Sequence, residues 1–265
     1  MITISIDPVI FSIGHIMIRW YSLIVTFAIV AGVSIAWREA KRKGLAEKHF
    51  TDALIWVIAA GLIGARLFHV IDHWSHEYAT NPIRALYIWE GGLAIWGAVI
   101  GGGIAVAVFA WRRKLPLGRL LDIAAPGLVL GQALGRAACV ITGDAMGRPT
   151  TGPFGFAYTN PGAMVPQLGV YYTPTPMYEI IMNLGIFAVV WQLRGRKLPD
   201  GALFLIYLSL YSLGRFIITF WSSYEIVAFG LNQAQIVSLA ALIIGLPVLV
   251  HLMRRSRLPG TIVSR

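Results

Sequence analysis

Four arginines lie inside or at the edge of long apolar segments: Arg19, Arg66, Arg136 and Arg215. A guanidinium in a spanning helix costs about 2.5–3.5 kcal/mol at the membrane centre on insertion scales, so it usually faces a protein interior or a wet cavity. Its planar fork of donors suits bidentate contact with a phosphate or carboxylate. Other polar groups stand near these arginines in sequence. Asp144 follows Arg136 across a Gly-bounded turn that closes at Gly147, and Tyr21 closes the Arg19-Trp20-Tyr21 cluster. Tyr211 lies four residues before Arg215 and shares its helical face. A phenol beside a guanidinium can donate to a phosphate oxygen or take part in proton transfer. Binding of an anion and transfer of a proton are the chemistries these residue types offer. For Arg136 two readings stand side by side, a structural ion pair with Asp144 or a hold on an external anion.

The elements that must position these groups are membrane spans. The chain is 57% hydrophobic and 13% charged, with a mean hydropathy of +0.70, outside the range of soluble domains. Apolar stretches of ~20 residues, the length of a spanning helix, recur at roughly 16–36, 51–72, 93–111, 120–141, 177–193, 202–221 and 233–253. They are continuously apolar, without the ten-residue alternation of barrel strands. The expectation is an all-α integral membrane protein with seven transmembrane helices.

Charge sets the expected orientation. Basic clusters follow the first span (Arg38, Lys41, Arg42, Lys43, Lys48) and the third (Arg112, Arg113, Lys114, Arg119). Others follow the fifth (Arg194, Arg196, Lys197) and the seventh (Arg254, Arg255, Arg257, Arg265). The alternate loops at 73–92, 142–176 and 222–232 hold only Arg84 and Arg148. By the positive-inside rule the N-terminus is outside, the C-terminus is cytoplasmic, and all four span arginines fall in the outer half. The net charge of +10 is thus a topological signal, divided among four loops, and no single basic stripe offers itself to nucleic acid. Residues 1–13 lack the basic start and cleavage site of a signal peptide. The single Cys139 excludes an intramolecular disulfide and a multi-cysteine metal site.

A single transmembrane domain over 1–265 is expected, with no soluble domain attached. Residues 1–14 suit a segment at the outer interface. The loop 142–176, poor in charge and rich in Gly, Pro, Thr and Tyr, is read as an ordered cap on the outer face in preference to a slack connector. Its aromatics, Phe154, Phe156, Tyr158, Tyr171 and Tyr172, are expected at headgroup level. Gly61 and Gly64 before Arg66 permit close helix approach and would point that arginine into the bundle, with snorkelling to the headgroups as the competing reading. The stretch from Glu90-Gly-Gly to Gly103 suits either a closely packed helix or backbone approaching a ligand. Cys139 reads as a small buried hydrophobe. No acidic residue lies well inside a span, the nearest being Asp72, Glu90, Asp144 and Glu179. Buried charges need partners, so some of the arginines are expected to find one only in an anion. At that depth the anion is a phospholipid headgroup.

These stretches resemble the bacterial prolipoprotein diacylglyceryl transferases. The matching pieces are Arg19-Trp20-Tyr21, Gly64-Ala-Arg66, Glu90-Gly-Gly-Leu…Gly97, Gly135-Arg136…Gly143-Asp144…Gly147, Pro174…Tyr178-Glu179 and Tyr211…Gly214-Arg215-Phe216. They occur in order over about 15–220, nearly the whole chain. The resemblance implies a transferase of the bacterial plasma (inner) membrane, multi-pass, with its active site toward the outer leaflet. It would move the diacylglyceryl group of phosphatidylglycerol onto the lipobox cysteine of a preprolipoprotein signal peptide. A thioether would form and glycerol phosphate would leave, without a metal or other cofactor. The resemblance puts Arg136 on the lipid phosphate, Arg215 on the departing phosphate, and Tyr211 and Asp144 among the catalytic groups. Tyr21, Arg66, Trp96, Gly147 and Glu179 join Arg136 in substrate binding. Two positions depart from the family. Trp96 stands where many relatives have a histidine proposed as the base, and Cys139 stands where they commonly have asparagine. Either the base is Tyr211, Asp144, Glu179 or the lipid phosphate, or the histidine of the relatives has a steric role. The competing readings are a transporter, disfavoured by apolar inner halves of the spans, and a non-catalytic protein that binds anionic phospholipid.

Overall fold

The computed structural model describes residues 1–13 and 16–256; Gly14 of the N-terminal segment and Arg257 and Arg265 of the last basic cluster lie outside the described residues. Among the described residues seven helices are long and apolar enough to cross a membrane. They are α1 (Trp20–Arg42), α2 (Glu47–Asp72), α3 (Ile95–Arg113), α4 (Leu117–Thr142), α5 (Thr175–Leu193), α6 (Ala202–Ile218, extended by a short turn to Trp221) and α7 (Gln233–Arg255). The seven expected spans match them one for one, with ends displaced by up to six residues where polar residues continue a helix beyond its apolar part. Basic residues in the last turns of α1, α3 and α7 face the negative end of each helix dipole. The start of α7 is set by a capping box between Asn232 and Gln235.

Short strands accompany this mostly helical fold outside the spans. β1 (Ile2–Ile4) pairs in parallel with β4 (Phe156–Tyr158), and β2 (Val9–Ile13) pairs antiparallel with β3 (Ile16–Arg19). β5 (Ile226–Ala228) and β6 (Leu231–Asn232) form a hairpin between α6 and α7. The strand segments are too short for a clear period-two pattern, and the β1–β4 partners are far apart in sequence.

The chain forms two compact units, one of residues 1–36 with 122–265 and one of residues 37–121. In the first, α1 and α4 run antiparallel and touch through glycine: a Cβ on Gly127 would meet the carbonyl oxygen of Gly32 at 2.3 Å. The core between α4, α5 and α6 is Ala125 and Val129, Ile186 and Val190, and Leu203 and Tyr207. Asp122 of α4 caps the start of α6, accepting from the backbone N–H of Gly201 at 3.0 Å and of Phe204 at 2.9 Å. The carboxylate thereby satisfies donors that have no partner within the helix.

The segment 142–176 is ordered by its own small core. Met146, Phe156, Tyr158 and Tyr172 are buried together, with Ile4 and Val165 packed against them. Burial of Phe156, Tyr158 and Tyr172 corrects the expectation that all five loop aromatics lie at headgroup level; Phe154 is exposed. The Tyr158 hydroxyl donates to the Val140 carbonyl at 2.6 Å, and burial pushes its phenol above the usual range.

In the second unit α2 and α3 run antiparallel at backbone contact. A Cβ on Gly97 would meet the Gly64 carbonyl oxygen at 2.1 Å, and one on Gly101 would meet that of Ala60 at 2.3 Å. Gly97 and Gly101 thus serve helix packing.

Candidate functional site

Three helices of the first unit deliver one charged group each to a common point. Pro174 and Pro176 set the start of α5, and Glu179 follows one turn later with only 3% of its surface exposed. Arg215 of α6 donates from Nη1 to Glu179 Oε1. Arg136 of α4 brings Nε to 2.6 Å from Oε2 of the same carboxylate. That N–H is out of line for a hydrogen bond, so the contact is ionic. Two guanidiniums share one carboxylate, and the trio carries a net charge of +1. The α4–α5–α6 core below it fixes the spacing, reinforced by Tyr207, whose hydroxyl donates to Gln132 Oε1 at 3.0 Å. Some of the span arginines are expected to find a partner only in an anion; Arg136 and Arg215 find one in Glu179, because the helix begins early enough to place that carboxylate inside it.

Other expected residues gather around this trio. Tyr211 lies beyond Tyr207, the ring centroids 6.1 Å apart and the planes tilted by 38°, within electrostatic reach of Arg215, Glu179 and Arg136. Tyr21, half-exposed near the start of α1, lies within such reach of Cys139, Asp144 and Arg136. The buried Cys139 lies between the last two, its sulfur 3.9 Å from Arg136 Nη1 and 3.8 Å from Asp144 Oδ2. A polarizable sulfur thus makes long, weak contacts to both.

Gly147 is buried and serves packing. A Cβ there would meet the Trp221 carbonyl oxygen at 2.3 Å, and its N–H donates to Thr173 O at 2.8 Å. It lets two backbone segments cross. Arg19 is exposed on β3, outside the helices.

Arg66 and Trp96 belong to the second unit. Arg66 is 7% exposed, and neither snorkels nor offers itself to an anion. Nε donates to Ala85 O, Nη1 to Gly91 O and Gly92 O, and Nη2 to Arg84 O and Tyr87 O. Its five N–H groups are matched by five carbonyls, and Gly91 and Gly92 adopt φ of +90° and +72° to present theirs. The guanidinium thus acts as a backbone clasp. Trp96 stands in the first turn of α3. His69 and His73, unremarked in the sequence, stack at 4.2 Å, with Glu77 Oε2 3.8 Å from His69 Nε2. Among the described residues no three His, Cys, Asp or Glu side chains converge as metal ligands would.

Two further features of the first unit escape sequence reasoning. Tyr224, in the α6–α7 linker, accepts a hydrogen bond from Arg215 Nη2 at 3.0 Å. An open apolar groove of about 500 Å³ is lined by Tyr178, Ile181, Met182, Ile218 and Trp221. Tyr178 adjoins Glu179 in sequence, and Ile218 stands one turn beyond Arg215. No spacing rule connects a linker tyrosine to a helix arginine, and the groove residues are ordinary apolar ones.

Comparison with known proteins bears on what this site serves. Residues 8–251 match the family described as prolipoprotein diacylglyceryl transferase. The chain is 39% identical to the phosphatidylglycerol–prolipoprotein diacylglyceryl transferase of Trichormus variabilis, over 98% of this chain and 95% of that one. It is 38% identical to the protein of the same name from Dehalococcoides mccartyi, over 97% of this chain and 98% of that one. With that of Halalkalibacterium halodurans it shares 38% identity over 90% of this chain and 83% of the relative. Seven membrane-crossing helices and a family match over nearly the whole length agree: this multi-pass membrane protein belongs to the prolipoprotein diacylglyceryl transferase family.

Proposed function

We propose that the protein transfers the diacylglyceryl group of phosphatidylglycerol to the lipobox cysteine of prolipoproteins, releasing glycerol phosphate. The observation that carries this is the Arg136–Glu179–Arg215 trio. Its net charge of +1 matches a phosphodiester monoanion, and both guanidiniums approach one point from different helices. In this reading Arg136 and Arg215 exchange part of their contact with Glu179 for the lipid phosphate, and the apolar groove beside Tyr178 and Ile218 receives acyl chain. Asp144, Tyr21 and Tyr211 complete the rim of the headgroup site.

The bonds follow from that placement. The cysteine sulfur attacks the glyceryl carbon, a C–S bond forms as the C–O bond to phosphate breaks, and the electron pair passes to the phosphate oxygen. Arg136 and Arg215 stabilise that developing charge. The thiol proton goes to Glu179, the carboxylate uncovered when the arginines turn to phosphate, and from there to the departing phosphate.

The charge distribution supports an N-terminus outside, a cytoplasmic C-terminus and a site toward the outer leaflet. In this reading the protein belongs to the bacterial plasma membrane as one transmembrane domain over 1–265, with residues 142–176 as its outer cap.

The test is turnover. The purified full chain is supplied with phosphatidylglycerol and a lipobox peptide or its Cys→Ser twin, and peptide mass is read. A diacylglyceryl mass gain on the cysteine peptide alone is expected; no gain from a folded preparation that binds phosphatidylglycerol overturns the transfer reading.

A further inference from the structure

We infer that Tyr224 is a phosphate-binding residue of this site, donating its phenolic proton to the oxygen that Arg215 also holds. The inference rests on the proposed function and extends it to a residue outside every helix. Arg215 Nη2 donates to the Tyr224 oxygen at 3.0 Å, so the phenol's own proton is directed away from the guanidinium. The hydroxyl is then an unspent donor beside a cation already committed, through Nη1, to Glu179. The Arg215 carbon also lies 5.4 Å from the Tyr224 ring centre, which steadies the guanidinium plane. A phosphate oxygen received at Nη2 meets the phenolic proton in the same place. Arg136 is within electrostatic reach of Tyr224 as well.

This position is held, although it lies in a linker. On one side, Ser222 Oγ donates to Thr219 O at 2.7 Å, the Ser222 carbonyl accepts from Arg148 Nε at 3.1 Å, and Ser223 Oγ donates to Met146 O at 3.2 Å. On the other, Asn232 closes the α7 capping box and donates from Nδ2 to Thr219 O at 3.3 Å. The linker is therefore tied down on both sides of Tyr224, while the tyrosine itself stays 40% exposed and open to an arriving headgroup. Such preorganisation lowers the ordering cost of binding.

The test compares the wild-type chain with Tyr224→Phe and Tyr224→Ala in two assays. One is steady-state transfer with varied phosphatidylglycerol, and the other is retention of phosphatidylglycerol by the detergent-purified protein, read by native mass spectrometry. Tyr224→Phe keeps the ring and should raise KM for the lipid roughly tenfold, the scale of one hydrogen bond to a charged group, with kcat within about twofold. Retention should weaken in parallel while the unfolding temperature stays put. Tyr224→Ala should lose more, because the ring over Arg215 goes too. Free glycerol phosphate as competitor should lose affinity in Tyr224→Phe by a similar factor, since it presents the same phosphate. A Tyr224→Phe enzyme with wild-type KM and retention overturns the inference and leaves the proposed function standing. A wild-type chain that retains the lipid and transfers nothing overturns the proposed function, and the retention assay still decides Tyr224.

Discussion

Nε of Arg136 on α4 lies 2.6 Å from Oε2 of Glu179 on α5, and that carboxylate also receives Arg215 from α6. Three spans are tied by one buried anion. Breaking a buried pair from one side costs about 3–5 kcal/mol because a charge is left uncompensated. Arg136→Ala, however, leaves Glu179 its contact with Arg215, so the variant should still insert and fold. Transfer should fall below detection. Glu179→Gln leaves two guanidiniums facing each other and should lower both the unfolding temperature and turnover. A full-rate Arg136→Ala enzyme, in membranes where the protein is shown to be folded, would remove the assignment.

Arg66 should tolerate no replacement, conservative or otherwise. Lysine has three donors on one nitrogen and cannot reach five carbonyls spread over residues 84–92. Each carbonyl that loses the guanidinium gives up a hydrogen bond to a charged group, worth about 1.5–3 kcal/mol. Arg66→Lys is therefore expected to destabilise nearly as much as Arg66→Ala in thermal unfolding. A fully stable Arg66→Lys protein would contradict the clasp.

Glycine positions on α3 should separate by what faces them. An alanine at Gly97 would put its Cβ 2.1 Å from the Gly64 carbonyl oxygen, whereas one at Gly103 meets nothing within 4 Å. Overpacking typically costs about 1–3 kcal/mol, so Gly97→Ala should lower the unfolding temperature. Gly103→Ala should match or slightly exceed wild type, since alanine is the better helix former. Equal stability of the two variants would mean that the α2–α3 contact is looser than described.

Tyr158 gives the cap a pH dependence of known sign. Its buried phenol holds its proton more tightly folded than unfolded. Above pH ~10, where a free phenol ionises, the unfolded chain binds fewer protons, and stability falls as pH rises. The contribution is whole below that pH and lost progressively above it. Unfolding temperatures measured from pH 8 to pH 11 should decline less steeply in Tyr158→Phe, which lacks the titrating group. Parallel slopes would exclude Tyr158 as the source.

Much of the architecture is legible in the sequence because span length and hydropathy are local quantities. Each apolar run predicts a helix to within six residues at either end, and charge, spacing and resemblance point to Arg136, Arg215, Tyr211, Asp144 and Tyr21. Glu179 was named too, but as a residue at the edge of a span. Where α5 begins depends on Pro174 and Pro176 and on the ordered segment before them, and that start turns a boundary carboxylate into a buried bridge. Arg66 looked like its fellow arginines because an isolated guanidinium in an apolar run carries no sign of its partners. The carbonyls that saturate it come from a loop 18 to 26 residues away.

The sequence by itself determined the number of spans, the charge pattern that argues their direction, and the supply of cations at particular helix positions. These follow from the cost of placing polar groups in hydrocarbon, which acts residue by residue. Only the tertiary structure decided which cation meets which partner: Arg136 and Arg215 share Glu179, Arg66 closes on backbone, and Tyr224 comes from a linker to Arg215. Such pairings depend on helix starts, glycine contacts and loop paths over distances no local pattern encodes. The same residue type therefore serves as ion-pair partner in one place and as structural clasp in another.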